Sequence, residues 1–209
     1  MKLQPRTADR LSGLAEEYYN PELAYHNWGH AEEVMVASRD LINQGGRWTR
    51  HVNRPLLQIA AAWHDAGHDY EARHNFESPE HYSAYLMRQR LQCELPMRQL
   101  NEIEETILGT RHNQPRRTMA AIALRYGDVG NMAAPFDNFY EHSVQLWREY
   151  GMPDWLEFQA ASIKMLASVR QSADRELPRI GIFGRHCHAY TDAVAANLAR
   201  LGTLEVPSE

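Results

Sequence analysis

The chain has 209 residues, a formal net charge of -5 and 44% hydrophobic residues. That is enough for one sizeable core and too acidic for a general nucleic-acid coat or a basic membrane-surface protein. Its two cysteines, Cys93 and Cys187, supply neither a disulfide framework nor a thiolate metal cluster. No stretch resembles a signal peptide or approaches a membrane span, so the expected compartment is a reducing cytoplasm, with neither a membrane nor a nucleic-acid polymer as partner. Lysine occurs only at Lys2 and Lys164, so recognition of a small anion falls to arginine forks.

Proline stands just ahead of segments with apolar residues three and four apart at Pro55, Pro79, Pro96, Pro115, Pro135 and Pro153. Proline suits the first turn of a helix and resists its interior. The predicted helices are 7–19, 29–43, 55–66, 79–92, 97–111, 115–132, 136–150, 153–171 and 187–201. No segment alternates with period two for long enough to form a strand, and Ile180-Gly181-Ile182-Phe183 is too short to build a sheet. The expected fold is an all-α, compact multi-helix bundle forming one domain over 1–209, its core in 20–135 and the helices of 136–201 packed on it.

In chain order, the first chemistry-bearing stretch is Tyr25-His26-Asn27-Trp28-Gly29-His30, opening the second helix. His26 and His30 are four apart, which on a helix places them one turn apart on one face, although Asn27 and Gly29 allow a turn there. A polar connector, Gly45 to His51, leads to the apolar run from Leu56 to Ala62, which ends in Trp63-His64-Asp65-Ala66-Gly67-His68-Asp69. A carboxylate at the end of a buried helix sits where water is scarce and needs a cation or several donors. A metal ion meets that need, and adjacent helical residues diverge by about 100°, so His64 and Asp65 grip one ion only between their directions and leave room for other ligands.

Beyond the loop from Asp69 to Glu77, Glu77 and Glu80 lie at a helix start, where the helix dipole alone accounts for a carboxylate. Arg111 and His112 end the helix whose stripe is Leu100, Ile103, Ile107 and Leu108; Arg111 is the candidate fork for a phosphate and His112 a candidate further metal ligand. Arg116 and Arg117 read as solvated. Asp128 continues the apolar stripe of Ala121 and Leu124, so it points inward, and Gly127 and Gly130 beside it suggest close approach of another backbone. A buried Asp without a partner costs several kcal/mol. Trp147, Trp155, Phe158 and Met165 recur at helical spacing and read as core, while His142, His186 and His188 have no spacing that ties them to the site.

His30, His64-Asp65 and Asp128, in that order on successive helices, resemble the H, HD, D signature of the HD superfamily of metal-dependent phosphohydrolases. Tyr25-His26-Asn27 followed by His30 is similar to the first histidine motif of the cyclic nucleotide phosphodiesterases, His64 to His68 resembles their H-D-x-x-H element, and Asp128-Val129-Gly130-Asn131 their D-x-x-N element. The chain departs from them in lacking their glutamine and phenylalanine nucleotide clamp. Small members with a Y-H-N-x-x-H opening, an N-E-x-x-S-A stretch and a later T-x-x-H look closer; here Glu80-His81-Tyr82-Ser83-Ala84 and Thr110-Arg111-His112 correspond, with Phe76 to Pro79 as extra residues. That insertion leaves open whether Glu77 or Glu80 is the site acid.

The resemblance implies an HD-domain-like bundle that hydrolyses a small phosphate ester, a nucleotide or related phosphomonoester or diester, with a metal-activated water. His30, His64, Asp65 and Asp128 are the implied metal ligands, with His112 a further candidate. His26 or His68 is the implied proton donor, because histidine titrates near neutral pH. His68 is alternatively an orienting group, and Glu77 or Glu80 the acceptor of the water's proton. A mixed nitrogen and oxygen donor set suits Mn, Mg, Zn, Fe, Ni or Co, one or two per chain, and a helical domain of this size is suited to pairing as a homodimer. Two other readings are an HD-type di-iron oxygenase, which needs further histidines such as His81 and His112, and a non-catalytic nucleotide-binding signalling module.

Overall fold

The computed structural model describes residues 3–68, 74–112, 114–152 and 154–203. Residues 69–73 of the predicted loop, including Asp69, and Pro153 lie outside the described residues. Among the described residues there are no strands, and the helices are α1 (Pro5–Gly13), α2 (Trp28–Gly45), α3 (Arg54–Trp63), α4 (Pro79–Leu91), α5 (Met97–Leu108), α6 (Met119–Asp128), α7 (Phe136–Glu149), α8 (Trp155–Glu176) and α9 (Arg185–Leu201). They fall into two compact units, Met1–Asp128 and Val129–Glu209.

Local chemistry explains most helix starts. Pro5, Pro55 and Pro79 occupy first-turn positions of α1, α3 and α4, while Pro96 and Pro135 cap α5 and α7. Side-chain oxygens of Asn27, Ser78 and Asp154 accept from the backbone N–H groups of His30, His81 and Glu157 at 3.3, 3.4 and 3.1 Å, satisfying exposed donors of α2, α4 and α8.

Several predicted boundaries shift; α5 ends three residues short of its predicted end and α8 runs five residues past its own. The segment predicted as 7–19 is α1 followed by a short 3₁₀ turn, Glu16–Tyr18. Helix α6 begins at Met119 rather than Pro115, because Thr118 Oγ1 accepts from the Ala121 N–H at 3.1 Å. The residues before it run irregularly, and Arg116, expected in solvent, is buried: its guanidinium donates to the carbonyls of Gly109 and Arg111 at 3.2 and 3.3 Å, beyond the end of α5. Helix α3 stops at Trp63, three residues short of the predicted end.

In the first unit α3 is the axis of packing, with Leu56, Leu57, Ile59, Ala60, Ala61, Ala62 and Trp63 all buried. A helix buried nearly all round needs small residues on some faces, and the three alanines let neighbours approach closely. Leu11 and Ala15 from the N-terminal segment, Ile103 and Ile107 of α5 and Leu124 of α6 share this core. Gly127 fixes the contact between α2 and α6: a Cβ there would lie 2.9 Å from the backbone nitrogen of Ser38. Gly130, expected to serve the same purpose, has open space where its Cβ would be. In the second unit, Phe139, Leu166, Val194 and Leu201 form one core cluster and Trp147, Trp155 and Phe158 another; Met165, expected in the core, is only half-buried. No helix among the described residues is long and apolar enough to cross a membrane.

Because backbone cannot move aside as a flexible side chain can, Gly127→Ala should force α2 and α6 apart and destabilise the protein by about 1–3 kcal/mol. Urea denaturation checks this, and a midpoint equal to that of the natural protein would contradict it.

Candidate metal centre

The site is built where α3 ends. His64 follows its last residue with helical backbone angles, and a turn over residues 64–68 reverses the chain at Gly67, whose φ of 73° suits glycine. This turn is tied down on several sides. The His64 Nδ1–H donates to the Ala61 carbonyl at 2.7 Å, the Gly67 N–H to the Tyr18 carbonyl at 2.8 Å, and Ser83 Oγ of α4 to the Ala66 carbonyl at 2.9 Å. The Tyr19 hydroxyl donates to the Ala62 carbonyl at 2.9 Å and accepts from the Asp65 N–H at 3.4 Å.

With Nδ1 of His64 committed to backbone, Nε2 faces inward, 3.0 Å from Asp65 Oδ2 and 3.7 Å from Asp128 Oδ1. His30, from the first turn of α2, brings its Nε2 to 3.3 Å from Asp128 Oδ1 and 3.7 Å from Asp65 Oδ2. One ligand atom from each of His30, His64, Asp65 and Asp128 lies within 4.8 Å of all the others. The carboxylate oxygens approach the imidazoles at ion-pair distance, and Nε2 of both histidines is buried and outside hydrogen-bond geometry with any partner. Two orphaned, converging imidazole nitrogens between two carboxylates fit a divalent cation in both charge and donor type.

Burial would raise the carboxyl of Asp65, but the charges of His64, His26 and His68 outweigh it and hold the group well below the usual range. Asp128 is likewise depressed against the effect of burial, by His30 and His64 on one side and Arg125 on the other. Arg125, buried one turn earlier on α6, donates to Asp128 Oδ2 at 3.2 Å, leaving Oδ1 to the histidines. His64 is raised well above its ordinary value: burial opposes the charge, but Asp65 and Asp128 prevail. Tyr19 is also raised, chiefly by burial, and so keeps the proton with which it donates.

The remaining predicted residues divide. His26 stacks on His68, ring centroids 3.8 Å apart and planes 16° from parallel, with His26 Nε2 4.0 Å from Asp65 Oδ2. Arg111 Nη2 donates to Glu77 Oε1 at 2.8 Å, and His81 Nε2 lies 3.5 Å from Glu77 Oε2. Arg111 is the main reason the Glu77 carboxyl is held below its ordinary value. Glu80 sits in the first turn of α4 and joins neither group. His112 is exposed and outside the four-residue cluster; burial of part of its ring, then Arg125 and Arg116, lower its pKa. Sequence reasoning gives no role to Tyr19 or Arg125 and notes Ser83 only within the N-E-x-x-S-A match. Arg125 carried a local signal for its role, its spacing of three from Asp128 on one helix face.

Comparison with solved structures shows which proteins share this fold. The phosphodiesterase domain of Salpingoeca rosetta rhodopsin phosphodiesterase is similar over 96% of this chain and 80% of its own, with a TM-score of 0.70 and 17% identity. A second structure of the phosphodiesterase domain of the RhoPDE fusion protein from the same choanoflagellate gives 96%, 84%, 0.69 and 17%. LmjPDEB1 in complex with IBMX gives 94%, 82%, 0.67 and 13%. No protein-family model matches the sequence, and no curated protein matches it. The chain thus has the all-helical fold of phosphodiesterase domains.

Because the His64 pKa is raised, a proton competes with a cation for Nε2. Affinity for Mn²⁺ should therefore fall as pH drops, with proton release on binding. Titration calorimetry in buffers of different ionisation enthalpy checks both, and a pH-independent affinity without proton release would contradict the ligand role of His64.

Proposed function

We propose that this protein is a metal-dependent hydrolase of a small phosphate ester, with a nucleotide or related phosphodiester as the leading substrate class. The observation that carries the reading is the convergence of His30, His64, Asp65 and Asp128, with two buried imidazole nitrogens lacking hydrogen-bond partners, beside a stacked pair of histidines. The shared fold with phosphodiesterase domains supports it.

His30, His64, Asp65 and Asp128 would hold one divalent cation, which supplies polarisation of a phosphoryl oxygen and acidification of water. The residues around it do the rest. His26 and His68 form a face-to-face pair, with His26 Nε2 4.0 Å from Asp65 Oδ2. Either ring then holds a proton at nitrogen for the departing oxygen. Arg111 is held by Glu77 at 2.8 Å, and Glu77 is largely exposed, so an incoming phosphate takes over a guanidinium already oriented for an oxyanion. Glu77, freed by that exchange, or Glu80 receives the proton of the attacking water. The two-iron alternative asks more of His81 and His112, and the first pairs with Glu77 while the second is exposed outside the cluster.

A phosphate-release screen over mononucleotides, cyclic nucleotides and dinucleotides, run with each divalent metal, tests the assignment; stoichiometrically metal-loaded protein that releases no phosphate and opens no phosphodiester would contradict it. Asp65→Ala should abolish both metal content and turnover. His26→Ala should keep its metal and lose about 10²–10⁴-fold in kcat. Arg111→Met should raise KM far more than it lowers kcat, and unchanged KM would remove Arg111 from substrate recognition.

A further inference from the structure

Two neighbouring residues on a regular helix point about 100° apart, yet His64 Nε2 and Asp65 Oδ2 lie only 3.0 Å from each other. The backbone departs from the helix at that point. In a continued helix the Ala61 carbonyl would accept from Asp65 and the Ala62 carbonyl from Ala66. Instead Ala61 is taken by His64 Nδ1, Ala66 donates to Trp63 at 3.3 Å, and the Tyr19 hydroxyl stands between the Ala62 carbonyl and the Asp65 N–H. One side-chain hydroxyl thus satisfies both backbone groups that leaving the helix would strand in a buried place. Tyr19 itself is buried, and its ring packs edge-on against Trp28, the first residue of the helix that carries His30, at a centroid distance of 5.6 Å.

We propose that Tyr19 is a positioning residue for the metal centre: its hydroxyl breaks α3 after Trp63 and so turns Asp65 toward the same point as His64. This rests on the metal-centre reading. Losing the hydroxyl leaves the ring packing intact but strands the Ala62 carbonyl and the Asp65 N–H, which then regain partners by extending the helix and swinging Asp65 away. Tyr18 provides the control, since only its backbone carbonyl and ring, 5.1 Å from Trp63, support the turn.

The test compares Tyr19→Phe, Tyr18→Phe and the natural protein in Co²⁺ titrations, with the Co²⁺ visible absorption spectrum and the thermal midpoint recorded without and with metal. For Tyr19→Phe the expected results are Co²⁺ affinity weakened about tenfold to a hundredfold, an altered spectrum and a smaller metal-induced rise in midpoint. Tyr18→Phe should match the natural protein in all three. A Tyr19→Phe variant with unchanged affinity, spectrum and metal-induced rise would overturn the proposal, even if its metal-free midpoint is lower, and a variant that does not fold would assign the hydroxyl a purely structural role. Failure of the natural protein to bind Co²⁺ would overturn the centre itself, a result distinct from failure of Tyr19→Phe alone.

Discussion

The arrangement of the first unit depends on two carboxylates, Asp65 and Asp128, that are kept ionised with little access to water. Removing such groups from water costs several kcal/mol each after relaxation, and attraction repays this only when the surrounding groups are well placed. Here four elements contribute: α2 brings His30, the turn after α3 brings His64, α6 brings both Asp128 and Arg125, and the segment before α2 brings His26. The exposed pair Arg10–Glu94, at 2.8 Å, shows the contrast, since solvent screens a pair so open to water. Stability and function are therefore coupled at the buried cluster and nearly independent at the surface.

Asp128 shows how the charge is divided. Its Oδ2 belongs to Arg125, one turn back on the same helix, and its Oδ1 to the imidazoles. One guanidinium offsets one carboxylate, and the negative charge that remains is what a divalent cation would answer. Packing determines whether this geometry exists at all. Gly127, next to Asp128, lets α6 lie against α2 at Ser38, and α2 carries His30. A backbone contact and the His30–Asp128 pair are thus adjacent on the same two helices.

Much of this was legible in the sequence because it is local. Prolines and capping side chains mark helix starts, and the stripe of Ala121 and Leu124 correctly turns Asp128 inward. What could not be read depends on contacts between distant segments. The end of α3 is set by Tyr19, 43 residues before its hydrogen-bond partner Ala62, and no periodicity announces it. The partners of Arg116 are close in sequence, but it reaches the carbonyls of Gly109 and Arg111 only through an irregular stretch whose path no periodicity gives. The pairing of Glu77 with Arg111, 34 positions further along the chain, likewise has no local signal. His112, a candidate through the T-x-x-H match, lies outside the four-residue cluster, and the arginines that help lower its pKa, Arg125 and Arg116, come from later in the chain.

The account holds that His30, His64, Asp65 and Asp128 share one divalent cation. An anomalous-difference map from crystals soaked in Zn²⁺ addresses this directly. A peak about 2.0–2.2 Å from both Nε2 atoms and from an oxygen of each carboxylate is the predicted result. A map with no peak there, the four side chains remaining paired only with one another, would contradict it.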